Sequence, residues 1–225
     1  MERFDPKSVR DHFDSIAARY DEGKARQSRY WRALLGIYAE FVPQGASVLE
    51  VGCGTGSLLA SLRPCRGLGL DLSPAMVEEA RRRHPELEFR AEDIARPAGR
   101  EVFEHVVLCD VVEHLPDPGA ALEGLKSYAD KSTRFILTSV NPVWTQPLHL
   151  AEALGLKLPE GEHEWLEVAE VGALIGRHGF RVEHAGGRLL LPFGIPLAEI
   201  ALNRLARLPL LRGVCFVYAV VFRLV

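Results

Sequence analysis

The sequence predicts an α/β protein built on an open, mostly parallel sheet with helices on both faces. Three observations predict it. Short apolar runs of strand length alternate along the 225 residues with stretches of helical periodicity. Four of these runs lead into a carboxylate, where open α/β sheets bind ligands. The first opens directly into a glycine-rich turn and a helix start. The length suits one well-buried core with insertions, a single domain over residues 1–225, better than two full domains.

The elements follow in order. In residues 1–43, Val9, Phe13, Ile16, Ala17 and Tyr20 recur at helical spacing, and Ser8 with Asp11 reads as a capping pair. This amphipathic helix either closes over the site as a lid or only packs against the sheet. A second helix runs from Ser28 to Phe41 and ends before Pro43. Residues 48–59 read VLEVGCGTGSLL. Val48, Leu49 and Val51 suit a strand covered on both faces, interrupted by Glu50, whose carboxylate is expected at the carboxyl edge because burying it unpaired is costly. Gly52, Gly54 and Gly56 then let the backbone turn sharply and approach a ligand, before a helix at 57–62. The run GLGLDL (67–72) is a second strand ending in Asp71, and Ser73-Pro74 caps and starts a helix. A third strand (87–91) leads into Glu92-Asp93-Ile94. A fourth (104–109) leads from Cys109 into DVVEHLPDP, where Asp117 caps a helix from Pro118. Residues 133–140 form a fifth strand and 168–178 a helix; a sixth strand opens over 180–184 and a seventh covers 214–223.

The glycine turn excludes one obvious ligand. A dinucleotide fingerprint needs G-x-G-x-x-G, but the third glycine position holds Ser57 counted from Gly52 and Leu59 counted from Gly54. GxGxG preceded by Glu50 and followed by strand-end acids resembles the class I S-adenosylmethionine (SAM)-dependent methyltransferases, small-molecule type, close to the ubiquinone/menaquinone-biosynthesis-like group. The string HFDSIAARYDE (12–22) is similar to the opening of many such enzymes, and the resemblance runs from about Phe13 to Phe180. It implies a seven-stranded Rossmann-like doubly wound sheet of order 3-2-1-4-5-7-6 with strand 7 antiparallel, and SAM as cofactor, leaving S-adenosylhomocysteine (SAH). It also implies a SAM site made of Tyr20, Glu50, Gly52, Cys53, Gly54, Gly56, Asp71, Leu72, Met76, Asp93, Ile94, Cys109, Asp110, Val111 and His114. Asp71 would hold the ribose, Leu72 and Met76 would lie near the adenine, and Asp93 would bond the adenine amino group.

Two insertions carry the expected substrate side. Residues 141–166 contain Trp144, His149, His163 and Trp165 and should roof the site; residues 189–212 contain Pro192, Phe193, Pro196 and a face of Ile195, Leu197, Ile200, Ala201, Leu205 and Leu208, broken by Arg204, Arg207 and Arg212. That second segment reads as a cap, a dimer contact or an interfacial helix. Candidate bases are His114 and His163, followed by Asp110, Glu113 and His149. Asp110, Glu113 and His114 are similar to an acid-x-x-Glu-His cluster associated with a divalent cation in some ubiquinone-biosynthesis O-methyltransferases, but no metal is expected here. The expected activity is methyl transfer to an O, N or C nucleophile of a small or lipid-like acceptor; the alternative is a binding protein that holds SAM or SAH without turnover.

Charge and composition exclude other classes. A formal net charge of −3 argues against nucleic acid, and the cluster Arg81-Arg82-Arg83 suits a helix end. Cys53, Cys65, Cys109 and Cys215 show no metal spacing and are expected as reduced thiols. No run of 18 apolar residues and no apolar leader in residues 1–14 is present, so a cytoplasmic monomer or homodimer with at most peripheral membrane contact is expected.

Overall fold

The structure is a computed structural model and describes residues 3–22, 28–155, 161–190 and 209–225. Helix α1 (Pro6–Ile16) and α2 (Ser28–Phe41) precede the sheet. The sheet is then built by β1 (Ser47–Val51), α3 (Ser57–Leu62), β2 (Arg66–Asp71), α4 (Pro74–Arg83), β3 (Glu88–Ala91) and β4 (His105–Cys109). It continues through α5 (Pro118–Leu125), β5 (Arg134–Val140), α6 (Thr145–Ala153), α7 (Val168–Arg177), β6 (Phe180–Leu189) and β7 (Val217–Leu224). Strand order is β3-β2-β1-β4-β5-β7-β6. The first five strands pair in parallel, and β7 pairs antiparallel with both β5 and β6. This is the expected Rossmann-like topology.

Each central strand is buried on both faces, and alternate residues serve two cores. Val48, Val107, Ile136, Val217, Ala219 and Val221 face α2, α3 and α4 through Leu34, Ile37, Leu58, Leu59, Leu62 and Val77. Leu49, Val106, Leu108, Phe135, Leu137, Tyr218, Val220 and Phe222 face α5 and α7 through Ala121, Leu122, Leu125, Val171 and Ile175. Phe135 and Phe222 stack at 4.9 Å, with Phe180 edge-on to both. Helix α5 lies so close to the turn after β3 that a Cβ on Gly124 would stand 1.7 Å from the Ile94 carbonyl oxygen.

Local chemistry fixes the helix starts. Ser73 and Asp117 cap α4 and α5, accepting from Met76 N at 3.1 Å and Ala120 N at 2.9 Å. The Ser8/Asp11 reading is corrected: α1 is capped by Asp5, which accepts from Lys7 N at 2.9 Å, with Pro6 as its first residue. Ser8 falls inside the first turn, and Asp11 pairs with Lys7 one turn back. Strand β6 extends to Leu189 across Gly186-Gly187, because pairing with β7 overrides the weak strand preference of glycine. Most of the proposed second cap falls outside the described residues, including Pro192, Phe193, Ile195, Pro196, Leu197, Ile200, Ala201, Arg204, Leu205, Arg207 and Leu208. Among the described residues no helix is long and apolar enough to cross a membrane. Gly124→Ala is expected to lower stability by about 1–3 kcal/mol, because the Ile94 carbonyl is backbone and cannot rotate away; urea unfolding checks this.

Candidate functional site

The carboxyl ends of the four parallel strands from β3 to β4 form one edge, and the sequence places a ligand-type residue at each. At the end of β1, Gly52, Gly54 and Gly56 take left-handed φ values of 68°, 52° and 78°. The turn leans on β2: Gly52 N and Cys53 N both donate to Leu70 O, at 2.8 and 3.0 Å. Close packing reinforces the need for glycine. A Cβ on Gly52 would stand 2.3 Å from Val111 Cγ2, and one on Gly56 would stand 2.6 Å from the Phe89 ring. Glu50 lies beneath the turn, 3% exposed, where its Oε2 accepts from Leu59 N at 3.0 Å. It therefore faces α3 and fixes the helix against the strand.

Asp71, at the end of β2, is half-buried; Oδ2 accepts from Gly54 N at 2.8 Å and Oδ1 from Ser73 N at 2.9 Å. Glu92 N donates to Asp71 O at 2.9 Å, which brings the turn after β3 beside it. Of the two acids in that turn, Glu92 accepts from Tyr128 and from Ala98 N, while Asp93 Oδ1 accepts from Ala95 N at 3.0 Å. Ile94 and Met76 are buried, Leu72 is half-buried, and Cys53 and Cys109 turn their side chains inward. Past β4, Val111 packs on Gly52, and Asp110 accepts from Tyr30 and Thr138.

The N-terminal residues are strapped across this edge. Asp14 accepts from Ser73 Oγ and from Ala75 N, the latter at 3.2 Å, at the start of α4 beside Asp71. The Tyr20 ring lies over Gly54, and Asp21 accepts from Thr55 Oγ1 at 2.7 Å while pairing with Arg83 at 2.8 Å. At the other end, Arg3 donates to Val112 O, Leu115 O and Glu164 O at 2.7, 3.0 and 3.2 Å. Asp14 and Arg3 were not singled out in the sequence, although Asp14 stands in the very string HFDSIAARYDE that carried the resemblance.

The first insertion does lie over the β4 end. Glu164 N donates to Glu113 O at 2.9 Å, and a Cβ on Gly161 would stand 2.7 Å from the His12 ring. This brings the candidate bases together: His114 lies 5.9 Å from His163 and 5.2 Å from Phe13, and His163 lies 6.2 Å from His149 and 4.5 Å from Trp165, centre to centre. Trp144 goes elsewhere, edge-on to Phe216 at 5.4 Å with its indole donating to Val214 O at 3.1 Å. Asp110, Glu113 and His114 do not converge: Glu113 is 2% exposed and accepts from Ser139 at 3.1 Å, while His114 Nδ1 is 3.1 Å from Glu162 O. Among the described residues no group of three His, Cys, Asp or Glu side chains is arranged to hold a metal ion.

The edge thus offers bare glycine backbone and carboxylate acceptors in the order Asp93, Asp71, glycine turn, Asp110. Comparison with known proteins identifies the family. Residues 23–185 match the family model described as a methyltransferase domain. The chain belongs to the class I SAM-dependent methyltransferases. It is 27% identical over 206 residues to a ubiquinone biosynthesis O-methyltransferase of Xanthomonas axonopodis pv. citri (strain 306), covering 83% of this chain and 86% of that one. Among solved structures, a SAM-dependent methyltransferase of Thermotoga maritima, titled a possible histamine N-methyltransferase, superposes with TM-score 0.73 at 15% identity, covering 96% of this chain and 99% of that one. Magnesium protoporphyrin IX methyltransferase of Synechocystis PCC 6803 with bound SAH superposes with TM-score 0.64 at 21% identity, covering 99% of this chain and all (100%) of the other. The cofactor of the family is SAM. Gly52→Ala combines a left-handed backbone with the Val111 clash and is expected to lower stability by about 2–4 kcal/mol. Chemical denaturation measures that loss, and an unchanged midpoint would contradict the packing account.

Proposed function

We propose that the protein transfers the methyl group of SAM to a hydroxyl of a small-molecule acceptor. The observation that carries the reading is the row of acceptors along the strand ends. Asp93 at β3 and Asp71 at β2 suit the adenine amino group and the ribose hydroxyls, which places the amino-acid end of the cofactor across the glycine turn toward β4. Gly52, Gly54, Gly56 and the backbone of Cys53 would line its path, with Leu72, Met76 and Ile94 beside the base and Cys109, Asp110 and Val111 at the far end. Glu50 holds the turn in place from beneath, and Tyr20 covers it. When bound, SAM supplies an electrophilic methyl on a sulfonium, and the acceptor row fits that cationic nucleoside better than it fits a pyrophosphate.

The acceptor then lies beyond β4, under the insertion that carries His149, His163 and Trp165. Each of two imidazoles there is set against a backbone carbonyl: His163 Nδ1 is 2.9 Å from Gly161 O, and His114 Nδ1 is 3.1 Å from Glu162 O. A carbonyl only accepts, so each of these contacts is made with the proton on Nδ1. His163, half-buried against Trp165, is the proposed base for the acceptor hydroxyl, with His114 beside it. Proton removal of this kind contributes about 10²–10⁴-fold, and holding the reactants in line supplies about 7–11 kcal/mol. Leu150 on α6 and Leu154 at its C-cap, 62% and 64% exposed, support an acceptor with an apolar part that reaches the roof. The hydroxyl acceptor is supported by the similarity to a ubiquinone biosynthesis O-methyltransferase, and the choice of bases by these contacts.

Titration calorimetry with SAM tests the cofactor half. Asp71→Ala is expected to weaken SAM at least tenfold while His114→Ala stays within about twofold, because only the first removes a ribose acceptor; equal affinity of Asp71→Ala and the unaltered protein refutes the assignment. The catalytic half is tested by SAH formation over a panel of phenolic and alcoholic acceptors. His163→Gln is expected to reduce kcat about 10²-fold or more with SAM affinity kept. Unaltered kinetics in that variant would remove His163 from the mechanism, and SAM binding without turnover on any acceptor would favour a binding protein.

A further inference from the structure

Residues 3–5 precede the first helix and belong to neither apolar core, yet the Arg3 side chain is only 15% exposed. Fixing so flexible a side chain loses conformational entropy, so it needs several partners. Carbonyls of two loops supply most of them. Nη2 donates to Val112 O at 2.7 Å and to Leu115 O at 3.0 Å, while Nη1 donates to Glu164 O at 3.2 Å and pairs with the Glu164 carboxylate at 3.4 Å. The Arg3 amide adds a bond to Pro116 O at 2.6 Å. Val112–His114 is a single tight turn, too short to satisfy its own carbonyls, and a planar fork of donors fits such a turn.

The two loops that Arg3 grips are the ones that carry the imidazoles. His114 lies between Val112 and Leu115 in the first, and His163 adjoins Glu164 in the second. One guanidinium therefore joins the end of β4 to the roof where the two rings stand 5.9 Å apart. The bond from Glu164 N to Glu113 O and the contact of His114 Nδ1 with Glu162 O, at 2.9 and 3.1 Å, run between the same loops. Farther along the strap, Phe13 stands edge-on to His114 at 5.2 Å and His12 lies against Gly161. A lysine ammonium is a point charge and cannot reproduce the fork. We propose that Arg3 is a positioning residue for the acceptor side of the site, holding His114 and His163 in the mutual placement that proton removal from the acceptor needs. This rests on the role given to those histidines under the proposed function. Misplacing a reacting group by about 1 Å can cost about 10²-fold in rate, so loss of the fork falls on turnover. The cofactor is spared, because its ribose and adenine acceptors, Asp71 and Asp93, follow β2 and β3.

Histidine ring signals test the proposal without an acceptor. In nuclear magnetic resonance of the full chain with isotope-labelled histidine, Arg3→Ala is expected to shift the signals of His114 and His163, assigned from His114→Ala and His163→Gln. Those of His84, His105, His178 and His184 should stay in place. Over the panel of phenolic and alcoholic acceptors, Arg3→Ala is expected to lower kcat about 10- to 100-fold, with SAM affinity by titration calorimetry kept within about twofold. Arg3→Lys should behave alike, and it decides by the same criteria where Arg3→Ala does not fold. Because Arg3 acts through the histidines, Arg3→Ala added to His163→Gln should cost no more than about threefold further. Unmoved His114 and His163 signals overturn the proposal, as does a full additional loss in the double variant. Shifts spread over all the histidines, or equal losses of kcat and SAM affinity, are what a merely structural role would give, and they overturn it too. Normal turnover of His163→Gln would overturn the base assignment beneath, whereas normal turnover of Arg3→Ala beside an impaired His163→Gln overturns the role of Arg3 alone.

Discussion

The buried bond between the Glu50 carboxylate and Leu59 N is the constraint on which the site depends. It ties the penultimate residue of β1 to the third residue of α3, across the glycine turn between them. A carboxylate taken out of water needs such a partner, since an unpaired buried charge costs several kcal/mol. With both ends of the turn fixed, Gly52, Gly54 and Gly56 must use left-handed conformations, and the amides of Gly52 and Cys53 reach Leu70 O on the neighbouring strand. Asp71 then meets Gly54 N, so the turn and the β2 acid are one hydrogen-bonded unit.

Around that unit the protein adds covers that are tied down by polar contacts. The N-terminal strap touches the glycine turn through Asp21 and Thr55, the start of α4 through Asp14, and the roof through Arg3. These attachments lie at the carboxyl edge of the sheet, beside the glycine turn. A strap held by a few hydrogen bonds, each worth about 1 kcal/mol net, can be displaced at modest cost compared with the double core beneath it. The scaffold and the covers therefore differ in kind: the sheet is held by apolar burial on both faces, the covers by caps and pairs.

How much was legible follows from the range of the forces. The starts of α4 and α5 were readable because Ser73-Pro74 and Asp117-Pro118 act on amides within a turn of themselves. The α1 start was misread although Asp5-Pro6 is the same signal, since Ser8 and Asp11 imitate a capping pair. The far half of β6 was not readable, because Gly186 and Gly187 are held in the sheet by pairing with Ala219 and Tyr218, residues distant in sequence. Of the neighbouring acids Glu92 and Asp93, the resemblance singles out Asp93, and the structure turns Glu92 to Tyr128 and Ala98 N. His114, His149 and His163 lie far apart in sequence; the backbone bond from Glu164 N to Glu113 O helps bring their rings together. Tyr30 had no local signal at all.

The sequence by itself determined the sheet, the glycine turn, the order of the strand-end acids and hence the cofactor class, because each of these is written in the residues that perform it: a period of two, a missing Cβ, a carboxylate at the end of a run. Tertiary structure alone decided which face each acid serves, with Glu50 and Glu113 turned inward and Asp71, Asp93 and Asp110 left at the edge. It also decided that Tyr30 meets Asp110 and that His163 meets His114. The physical reason is that burial and hydrogen-bond partnership are properties of neighbours in space, and for these residues the neighbours come from other elements of the chain.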